Sequence, residues 1–552
     1  MDRGTTLRLS YAAMLLRAYE RRFADPARVR AEHVGRLREL RRVQEELLAS
    51  ILAANADSDY GRRYGFARIS SPEDLRGRVP RATYEDLRPY VERMLAGEPG
   101  VLVAGTPAYF STTSGSTAKP KFVPGVLAGI SAGCDALLAR NAFLERDHPD
   151  ALAGRALFVV GSAAEGTTAA GVSYGAMTGF GYAAAQVGFR GGRFPQSVFS
   201  IGDYPTRDYC LLRLALARRD LSLLAAYNPS TLVVLFAAAR RGWDALVDGV
   251  AEGGVPPELE VPADVRDELA AELPADPVRA RELRGLAGAG PRAWWPRLAA
   301  VLCWKGGSAG FYLRELAGEL DGLPVRELGL LASEAMVTVP VDDDGAPVLL
   351  PATAFWEFAP ADEPGAEPVP AWELADGACY RVLCTTPAGL YRYQLDDVVR
   401  VEGSFEGAPR LAFLRRWGRV HSFTGEKLTE EHVTLAVRAA ADAAEVRVVG
   451  FTAVPRWSLP PRYELWVELD GGDGTATSRF AAGLDGALQT TNPEYAGKRR
   501  SGRLAEPVVV RVAGGSFAGL RRRAARDAQY KEVHLACDPS HRPELDVVEV
   551  LA

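Results

Sequence analysis

Apolar residues recur at two different spacings along this chain. Over Leu37–Leu52 they return every three or four positions, which predicts an amphipathic helix. Compact apolar runs at Ala156–Val160 and Ala299–Trp304 predict strands, and a predicted helix, Phe311–Leu320, follows the second run. The run Thr231–Phe236 is rich in β-branched residues and fits either a strand or a buried helix. Alternating strands and helices of this kind are typical of α/β layers.

Shorter apolar runs, separated by turns, occupy the middle of the chain. They lie at Val337–Pro340, Ala354–Phe358 and Tyr380–Thr385. Their length and spacing predict an antiparallel or barrel-like section that is appended to the α/β layers.

A domain boundary is predicted near Arg415–Gly425, where arginines are interspersed with glycines. The residues beyond this stretch include predicted strands at Val446–Phe451 and Tyr463–Leu469 and are numerous enough for a separate domain. We therefore predict an α/β fold in two parts. Residues 1–417 would combine α/β layers with a β-barrel-like part, and residues 418–552 would form a smaller α+β domain.

Charge and hydropathy exclude several classes of protein. The 552 residues carry 65 Lys and Arg against 70 Asp and Glu, a formal charge of −5, which is not the basic surplus of a nucleic-acid-binding protein. The longest apolar run, near Thr231–Ala239, is far shorter than the roughly 18 residues that a membrane span needs. Met1–Phe23 shows no cleavable signal pattern. We expect a cytoplasmic enzyme that has neither a nucleic-acid nor a membrane partner, and whose oligomeric state the sequence does not specify.

The numbers and spacing of cysteine, histidine and lysine indicate which kinds of functional site the protein can contain. Six cysteines and six histidines lie scattered without CxxC or HExxH spacing, which argues against a zinc site and a disulfide framework. Only six of the 65 cationic side chains are lysines, so arginine supplies nearly all of the positive charge. Some of the lysines should therefore have roles that need a compact, mobile ammonium, which arginine does not mimic. They are Lys119, Lys121, Lys305, Lys427, Lys498 and Lys531.

The segment Ser111–Lys121, with the sequence STTSGSTAKPK, is a candidate anion site. Six hydroxyl side chains and one glycine fill Ser111–Thr117. Small and hydroxyl-bearing residues let backbone N–H groups approach an anion closely, and a lysine adds charge. The spacing is not that of a conventional P-loop. By composition alone, a flexible surface loop is an equally good interpretation.

The same segment resembles the TSGSTGKPK phosphate loop of adenylate-forming enzymes, with Ala118 in place of a glycine. Over roughly residues 37–535 the chain also resembles the Gretchen Hagen 3 acyl-acid amido synthetases. The resemblance implies a large N-terminal adenylate-forming domain that binds ATP and the acid, and a mobile C-terminal lid domain. The segments that carry it are Val79–Leu87, Phe355–Pro360, Thr385–Tyr393 and Gln529–Lys531.

What the resemblance implies for ATP binding can be assigned to individual residues. Ala332 and Ser333 would border adenine, and Glu334 would contact Mg²⁺. Asp397 would accept hydrogen bonds from both ribose hydroxyls, as one carboxylate can. The β- and γ-phosphates would be held by Thr113, Ser114, Gly115, Ser116, Thr117 and Lys121.

Two further cations would act near the α-phosphate and the hinge. Arg416 corresponds to the arginine near the hinge between the domains, and Lys531 would reach the α-phosphate and neutralise charge during adenylation. Without the resemblance, both could equally be surface charges. On the residues alone, Glu334 could be a helix-entry charge and Asp396–Asp397 a solvated loop pair.

Four residues depart from the family pattern. Leu330 stands where an aromatic residue usually packs on adenine, and Ala118 replaces a glycine of the phosphate loop. Gln394 and Asp396 replace an arginine and a glycine beside the ribose-binding aspartate. These departures bear on the affinity for the nucleotide more than on the fold.

We therefore predict a ligase that uses ATP and Mg²⁺ to convert a carboxylic acid to an acyl-adenylate, and then transfers the acyl group to an amine, expected to be an amino acid. Lys121 and Lys531 would be the catalytic residues. An acyl-CoA ligase of the same superfamily and an ATP-binding protein without turnover remain open. A serine hydrolase is a third alternative, because Gly306–Gly310 has the GxSxG pattern with Ser308 at its centre, and His421 or His432 could be its base. A second GxSxG match lies at Gly129–Gly133.

Overall fold

The structure is a computed structural model that describes most of the chain. Contacts divide the chain into two compact units, Met1–Phe413 and Leu414–Ala552. The predicted division after residue 417, with the functions assigned to its two parts, stays a prediction. The side chains of Thr113, Asp396 and Arg416 lie outside the description. The described residues are 16–113, 121–306, 309–363, 365–417, 420–421, 423, 426, 428–458, 460–470, 474–500, 504–524, 532–537 and 541–551.

The N-terminal unit begins with helices and continues as a mixture of helices and strands. Residues 16–22 are also helical. The labelled helices are α1 Pro26–Arg38, α2 Leu40–Ala54, α3 Asp59–Tyr64, α4 Pro72–Arg78, α5 Tyr84–Leu95, α6 Leu127–Asp147, α7 Met177–Phe180, α8 Tyr182–Ala185, α9 Tyr204–Leu216, α10 Pro229–Arg241, α11 Trp243–Glu252, α12 Ala263–Glu272, α13 Pro277–Arg284, α14 Pro291–Trp294 and α15 Ala309–Leu320. The strands are β1 Tyr109–Thr113, β2 Lys121–Gly125, β3 Arg155–Val159, β4 Gly166–Thr167, β5 Ser173–Gly175, β6 Leu221–Ala226, β7 Ala300–Cys303, β8 Val325–Glu327, β9 Thr338–Val339, β10 Val348–Leu349, β11 Phe355–Pro360, β12 Val369–Pro370, β13 Cys379–Thr385, β14 Tyr393–Phe405 and β15 Ala408–Arg416.

A parallel sheet with the strand order β3-β6-β7-β8 forms one core of this unit. Its inner strands β6 and β7 are buried along their whole length, as expected for a parallel sheet that is covered on both faces. This burial explains why the sequence shows continuous apolar runs here. The strands predicted at Ala156–Val160 and Ala299–Trp304 are confirmed as β3 and β7.

The ambiguous run Thr231–Phe236 is a helix and not a strand. It lies within α10, where Leu232, Leu235, Phe236 and Ala239 are buried at helical spacing. The preceding Asn228-Pro229 step also suits a helix start, since proline is tolerated in the first turn. The β-branched composition was therefore misleading, and the period of the buried positions was the better guide.

A second core lies between an antiparallel sheet and the N-terminal helices. The sheet has the order β12-β11-β13-β14-β15-β10-β9 and corresponds to the predicted barrel-like part. Helix α2 is joined to this sheet by Gln44, whose Nε2 donates to Ala354 O at 2.8 Å and whose Oε1 accepts Trp356 N–H at 2.8 Å. The predicted helix Leu37–Leu52 is interrupted at Glu39, between α1 and α2.

A third sheet of the N-terminal unit, β2-β1-β5-β4, carries the hydroxyl-rich segment. The C-terminal unit is α+β, and its main sheet has the order β18-β19-β20-β21. No helix within the described ranges combines the length and the apolar character that a bilayer crossing requires. The elements of this unit are β16 Val420–His421, β17 Leu428–Thr429, α16 Glu430–Ala444, β18 Arg447–Arg456, β19 Arg462–Asp470, α17 Gly474–Thr491, α18 Pro493–Arg500, β20 Val508–Val512, α19 Ser516–Ala524 and β21 Val547–Leu551.

Candidate active site

Strands β1 and β2 carry the ends of the hydroxyl-rich segment. They pair antiparallel, and Thr113 and Lys121 lie directly opposite each other at the end of the pairing. The Ser111 hydroxyl donates to Ser333 O at 3.4 Å. The β1–β2 hairpin is therefore adjacent to the second predicted segment, Ala332–Glu334, so two stretches more than 200 residues apart in the chain meet here.

The Lys121 side chain lies against an aromatic ring. Its Nζ is 5.5 Å from the centroid of Tyr84, which is within the range of a cation–π contact. The Tyr84 hydroxyl accepts Phe122 N–H at 2.7 Å, which fixes the ring against β2. Tyr84 belongs to the segment Val79–Leu87, so this part of the sequence also reaches the predicted catalytic lysine.

Glu334 lies in a tight turn between two short extended pieces. Ala332 N–H donates to Ala335 O at 3.0 Å, and Leu331 and Met336 form a β-bridge. The chain then continues into β9. The alternative in which Glu334 is a helix-entry charge is therefore wrong, and the turn instead projects the carboxylate from the end of a small hairpin.

The Glu334 carboxylate is half-buried and has a phenolic neighbour. The Tyr393 hydroxyl donates to Glu334 Oε1 at 3.1 Å. Cys384 is the cross-strand partner of Tyr393 and is fully buried. Burial raises the pKa of the Cys384 thiol well above its ordinary value, and the charges of Glu334 and Glu357 add to the effect. The thiol is therefore neutral near pH 7.

The backbone that presents Tyr393 is held in an unusual conformation. Arg392 has φ +46°, in the left-handed region that residues other than glycine rarely adopt. Its buried Nε donates to both carboxylate oxygens of Glu357 at 3.1 Å, and its Nη1 donates to Val79 O at 2.8 Å. Burial raises the pKa of Glu357, while the Arg392 charge opposes the shift. A strained backbone conformation of this kind persists only where many surrounding contacts hold it in place. The ion pair between Arg392 and Glu357 is one of these contacts.

Asp397 lies in an irregular part of β14. The pairing of β13 with β14 is regular up to Gln394 and resumes at Val398, so a β-bulge contains Asp397. Asp397 is 4% exposed. The interpretation of Asp396–Asp397 as a solvated loop pair is therefore wrong for Asp397. Bulges re-aim side chains and occur often beside active sites, which is consistent with a functional role for this carboxylate.

A largely apolar cavity opens beside the Glu334 turn. It encloses about 980 Å³, part of which is open to solvent. One wall is the cavity face of α6, with Gly129, Gly133, Cys134 and Leu137. The remaining lining includes Phe158, Val160, Met177, Thr178, Phe180, Tyr227, Leu331–Met336 and Thr386–Ala388.

The described lining of this cavity carries very little charge. Of the lining residues in the described part of the chain, Glu334 alone has a charged side chain. Burial raises the pKa of Cys134 to about 11 and also raises the pKa of Tyr227, so both side chains are neutral near pH 7. The cavity therefore suits the uncharged, apolar body of a small molecule whose polar end lies near Glu334.

Sequence reasoning found one wall of this cavity and missed another. From the sequence, the glycine-rich stretch Gly161–Gly192 and the stretch Gly306–Tyr312 are both expected to contribute to the acyl pocket; Met177, Thr178 and Phe180 of the first stretch line the cavity. Helix α6 was not anticipated. The only hint was the glycine spacing of Gly129–Gly133, which resembles a hydrolase motif but places both glycines on one helical face.

Leu330, which stands where the family has an aromatic residue, is not among the residues that line the cavity. It is 8% exposed and belongs to the hydrophobic core between the antiparallel sheet and the N-terminal helices. Its N–H donates to the Thr338 hydroxyl at 2.8 Å. The next residue, Leu331, lines the cavity instead.

Several predicted residues lie outside the described part of the chain. Ser114, Gly115, Ser116, Thr117, Ala118, Ser308 and Lys531 are among them, as are the side chains of Thr113 and Arg416. Their roles stay predictions.

Of the two candidate hydrolase bases, His432 forms a capping box with Thr429 at the start of α16. The Nδ1 of the other, His421, is 2.9 Å from the Tyr463 hydroxyl. Burial lowers the pKa of both histidines.

The carboxylates near the cavity are few. Within the described ranges, no group of three or more His, Cys, Asp or Glu side chains could hold a metal ion by itself. An Mg²⁺ ion that arrives with a nucleotide would need only one or two protein carboxylates, because it keeps several waters and takes phosphate oxygens as its other ligands. Glu334, half-buried beside the hairpin, is a suitable single ligand.

The hairpin, the carboxylate turn and the apolar cavity together define a small-molecule site on a two-unit α/β fold. The chain belongs to the GH3 family. It matches the GH3 family N-terminal domain over residues 34–325, the central domain over residues 347–416 and the C-terminal domain over residues 431–540. The family predicted from the sequence is thereby confirmed.

Individual relatives cover most of the chain. A jasmonoyl–L-amino acid synthetase of Nicotiana attenuata, JAR6, is 29% identical over 489 residues, covering 83% of this chain and 84% of its own. A probable indole-3-acetic acid-amido synthetase of Oryza sativa subsp. japonica, GH3.12, is 28% identical, with coverages of 86% and 89%. The solved structure of the AtGH3.15 acyl acid amido synthetase in complex with 2,4-DB superposes with a TM-score of 0.82 at 20% identity, covering 93% of this chain and 94% of its own. The predicted fold class is confirmed.

Proposed function

We propose that this GH3-family protein is an ATP-dependent ligase that joins an apolar carboxylic acid to the amino group of an amino acid. The observation that carries the proposal is the largely apolar cavity, whose described lining has one charged side chain, Glu334, and which borders the β1–β2 hairpin through Pro124 and Gly125. The relatives named as amido synthetases catalyse this class of reaction, which agrees with the enzyme class predicted from the sequence.

The proposed reaction has two steps. In the first, a carboxylate oxygen attacks the α-phosphorus of ATP, and the bond to the β-phosphate oxygen breaks, which gives an acyl-adenylate and pyrophosphate. In the second, the amine attacks the acyl carbon, and AMP leaves as the amide forms and a proton is released. Activation is needed because a free carboxylate is a poor electrophile, whereas AMP is a good leaving group.

The hairpin is the proposed phosphate site. Thr113–Thr117 would donate hydrogen bonds to the β- and γ-phosphates, and Lys121 would add one positive charge. The Tyr84 ring supports this role, since it holds the Lys121 ammonium beside the hairpin by a contact that costs little to exchange for phosphate. Such a site accelerates the first step by positioning the triphosphate and stabilising the charge that develops on it.

Two carboxylates would hold the rest of the nucleotide. Asp397 would accept the ribose hydroxyls, and Ala332 and Ser333 would border adenine. Glu334 would be the protein ligand of Mg²⁺, which when bound neutralises phosphate charge. The buried position of Asp397 in a β-bulge and the hydrogen bond from Tyr393 to Glu334 support these roles.

The C-terminal unit would complete the site. Lys531 would neutralise charge on the α-phosphate, and Arg416 would lie at the hinge about which this unit moves. Movement of a lid between the two steps would shield the mixed anhydride from water and admit the amine. The acid and amino acid are small molecules, and no other partner is required by the chemistry.

The test is carboxylate-dependent exchange of labelled pyrophosphate into ATP. Aryl, indole-3-acetic, jasmonic and straight-chain fatty acids are each supplied with Mg²⁺, because exchange reports the first step without any assumption about the acceptor. Products are then analysed by mass spectrometry with a mixture of amino acids and, separately, with coenzyme A. Amide formation supports the proposal, whereas a thioester would identify an acyl-CoA ligase. Absence of exchange with every acid would overturn the proposal.

A matched pair of variants tests the assigned carboxylate. Glu334→Gln should lower exchange by at least about tenfold and raise the Mg²⁺ concentration needed for half-maximal rate, because a neutral amide is a weak Mg²⁺ ligand. Glu258→Gln removes an exposed carboxylate from a loop outside the cavity lining and should leave both quantities unchanged. Equal effects of the two substitutions would contradict the role of Glu334.

A further inference from the structure

Two glycines occupy the cavity face of α6. Gly129 and Gly133 are four residues apart, so they lie one above the other on the same side of the helix, and both line the cavity. Glycine is a poor residue for a helix interior because it has more backbone freedom to lose than alanine. Two glycines on one face of a 21-residue helix therefore need an explanation.

Close packing does not explain these glycines. A Cβ atom built at Gly129 or Gly133 meets no atom within 4 Å. At Gly249, in α11, a Cβ built in the same way would collide with the guanidinium of Arg213, so the neighbouring side chain would have to move. At the two α6 positions nothing in the described part of the protein occupies the space that a side chain would fill.

The other face of α6 is held by polar contacts, which oppose a shift of the helix into that space. The Ser131 Oγ lies 2.8 Å from the Tyr19 hydroxyl, and Asp135 pairs with Arg22. Both contacts join α6 to residues 16–22. The gap in front of Gly129 and Gly133 is thus part of the cavity.

We propose that Gly129 and Gly133 set the width of the acyl-binding cavity and thereby determine the largest acid that the enzyme accepts. The inference rests on the proposed function, since it takes the cavity beside Glu334 as the site of the acyl group. The absent side chains leave room for the broad part of an apolar acid, such as a fused ring or a branched chain. Glycine lowers the stability of the helix at these two positions, but it leaves space in the cavity for the acid.

Opposite effects on stability and activity distinguish this proposal from a structural role. Gly129→Ala and Gly133→Ala should each raise Tm by about 1–2 °C, because alanine is the better helix former and its methyl group meets no clash. The same variants should lower kcat/KM in pyrophosphate exchange for the broadest accepted acid. Gly133→Val should lower it by at least about tenfold while changing the rate with the smallest accepted acid by less than about twofold.

A matched control comes from another helical glycine. Gly35 lies on an exposed part of α1, and a Cβ there also meets no atom within 4 Å. Gly35→Ala should raise Tm by a similar amount and leave the profile of accepted acids unchanged. A shift of that profile in the α6 variants alone supports the proposal.

Failure of this inference and failure of the proposed function would give different experimental results. If the wild-type protein exchanges pyrophosphate with some acids and the α6 variants retain the same profile, the assignment of the two glycines is wrong while the proposed function stands. If the α6 variants lower exchange equally with every acid, the glycines do not select by size. If no acid supports exchange in the wild-type protein, the proposed function is wrong and the inference falls with it.

Discussion

Two walls of the same cavity are built in opposite ways. The α6 wall presents Gly129 and Gly133, whose missing side chains leave open space. The wall formed around Thr386–Ala388 leads directly into Leu390–Tyr393, where nearly every residue is held by a buried hydrogen bond, an ion pair or a ring contact. One wall is open towards the ligand, and the other is rigid.

This difference fits the two proposed tasks of the cavity, which are to accommodate the substrate and to position the groups that take part in the reaction. The rigid wall presents Tyr393 to Glu334, so a displacement of less than about 1 Å there would disturb a group proposed to hold Mg²⁺. Under the proposed function, the α6 wall would contact only the body of the acid, where space matters more than the exact position of any atom. Substitutions in the α6 wall could then change the accepted acid without disturbing the rigid wall.

Removing Glu357 should break the rigid wall and have the largest effect. Glu357→Ala leaves the buried Arg392 guanidinium with only the exposed Glu367 carboxylate, 3.7 Å from its Nη2, and losing a buried partner in this way costs about 3–5 kcal/mol in the free energy of unfolding. Urea unfolding followed by fluorescence measures it. Glu406→Ala breaks the exposed pair of Glu406 with Arg38 and should cost far less stability, because solvent screens an exposed ion pair. Equal losses would show that the buried pair does not support the wall.

Lowering the pH should weaken the support behind α6. His33 of α1 is 5% exposed and lies edge-on to Phe143 of α6. Burial lowers its pKa to about 4 from an ordinary value of 6.5, so the folded protein stays neutral there while the unfolded chain is protonated. Stability is therefore lost as the pH falls from 6.5 towards 4.

The expected size of this loss follows from the shift in pKa. At pH 5 it is about 2 kcal/mol, since each unit corresponds to about 1.4 kcal/mol. Urea midpoints at pH 7.5 and pH 5 should accordingly differ less in His33→Leu than in the wild-type protein. An unchanged pH dependence in this variant would mean that other groups account for it.

Removing one hydroxyl from the rigid wall should change the chemistry more than the fold. Tyr393→Phe deletes the donor to Glu334, and kcat/KM in pyrophosphate exchange should fall about tenfold, with a higher Mg²⁺ requirement, as expected for a hydrogen bond to a charged group. Tyr391→Phe is the control, because its hydroxyl donates to Leu102 O at 2.7 Å and does not contact Glu334. That variant should lose stability without any change in the Mg²⁺ dependence.

The smallest effect is expected on the held face of α6. Ser131→Ala removes the contact with the Tyr19 hydroxyl, which is partly buried and should contribute about 0.5–1 kcal/mol. Pyrophosphate exchange should be unchanged, because Ser131 does not line the cavity. Complete loss of activity would instead indicate a serine nucleophile within Gly129–Gly133.

Some elements of the structure could be predicted from the sequence, and others could not. The strands β3 and β7 were predictable, because a run that is buried on both faces is continuously apolar in the sequence. The run Thr231–Phe236 was ambiguous, because composition does not distinguish a buried strand from one face of a buried helix. The turn that carries Glu334 was predicted as a site but not as a hairpin, since its shape depends on the bridge between Leu331 and Met336.

The amino-acid sequence by itself determined the family, the α/β class and the identity of the chemical groups, because these depend on local patterns and on short motifs such as Thr113–Lys121. Only the tertiary structure decided which distant residues share a site. It joined Ser111 to Ser333 and Tyr393 to Glu334, and it turned two glycines of α6 towards an empty space. The physical reason is that cavities and strained backbones arise from packing between elements far apart in the chain, and no local pattern encodes that packing.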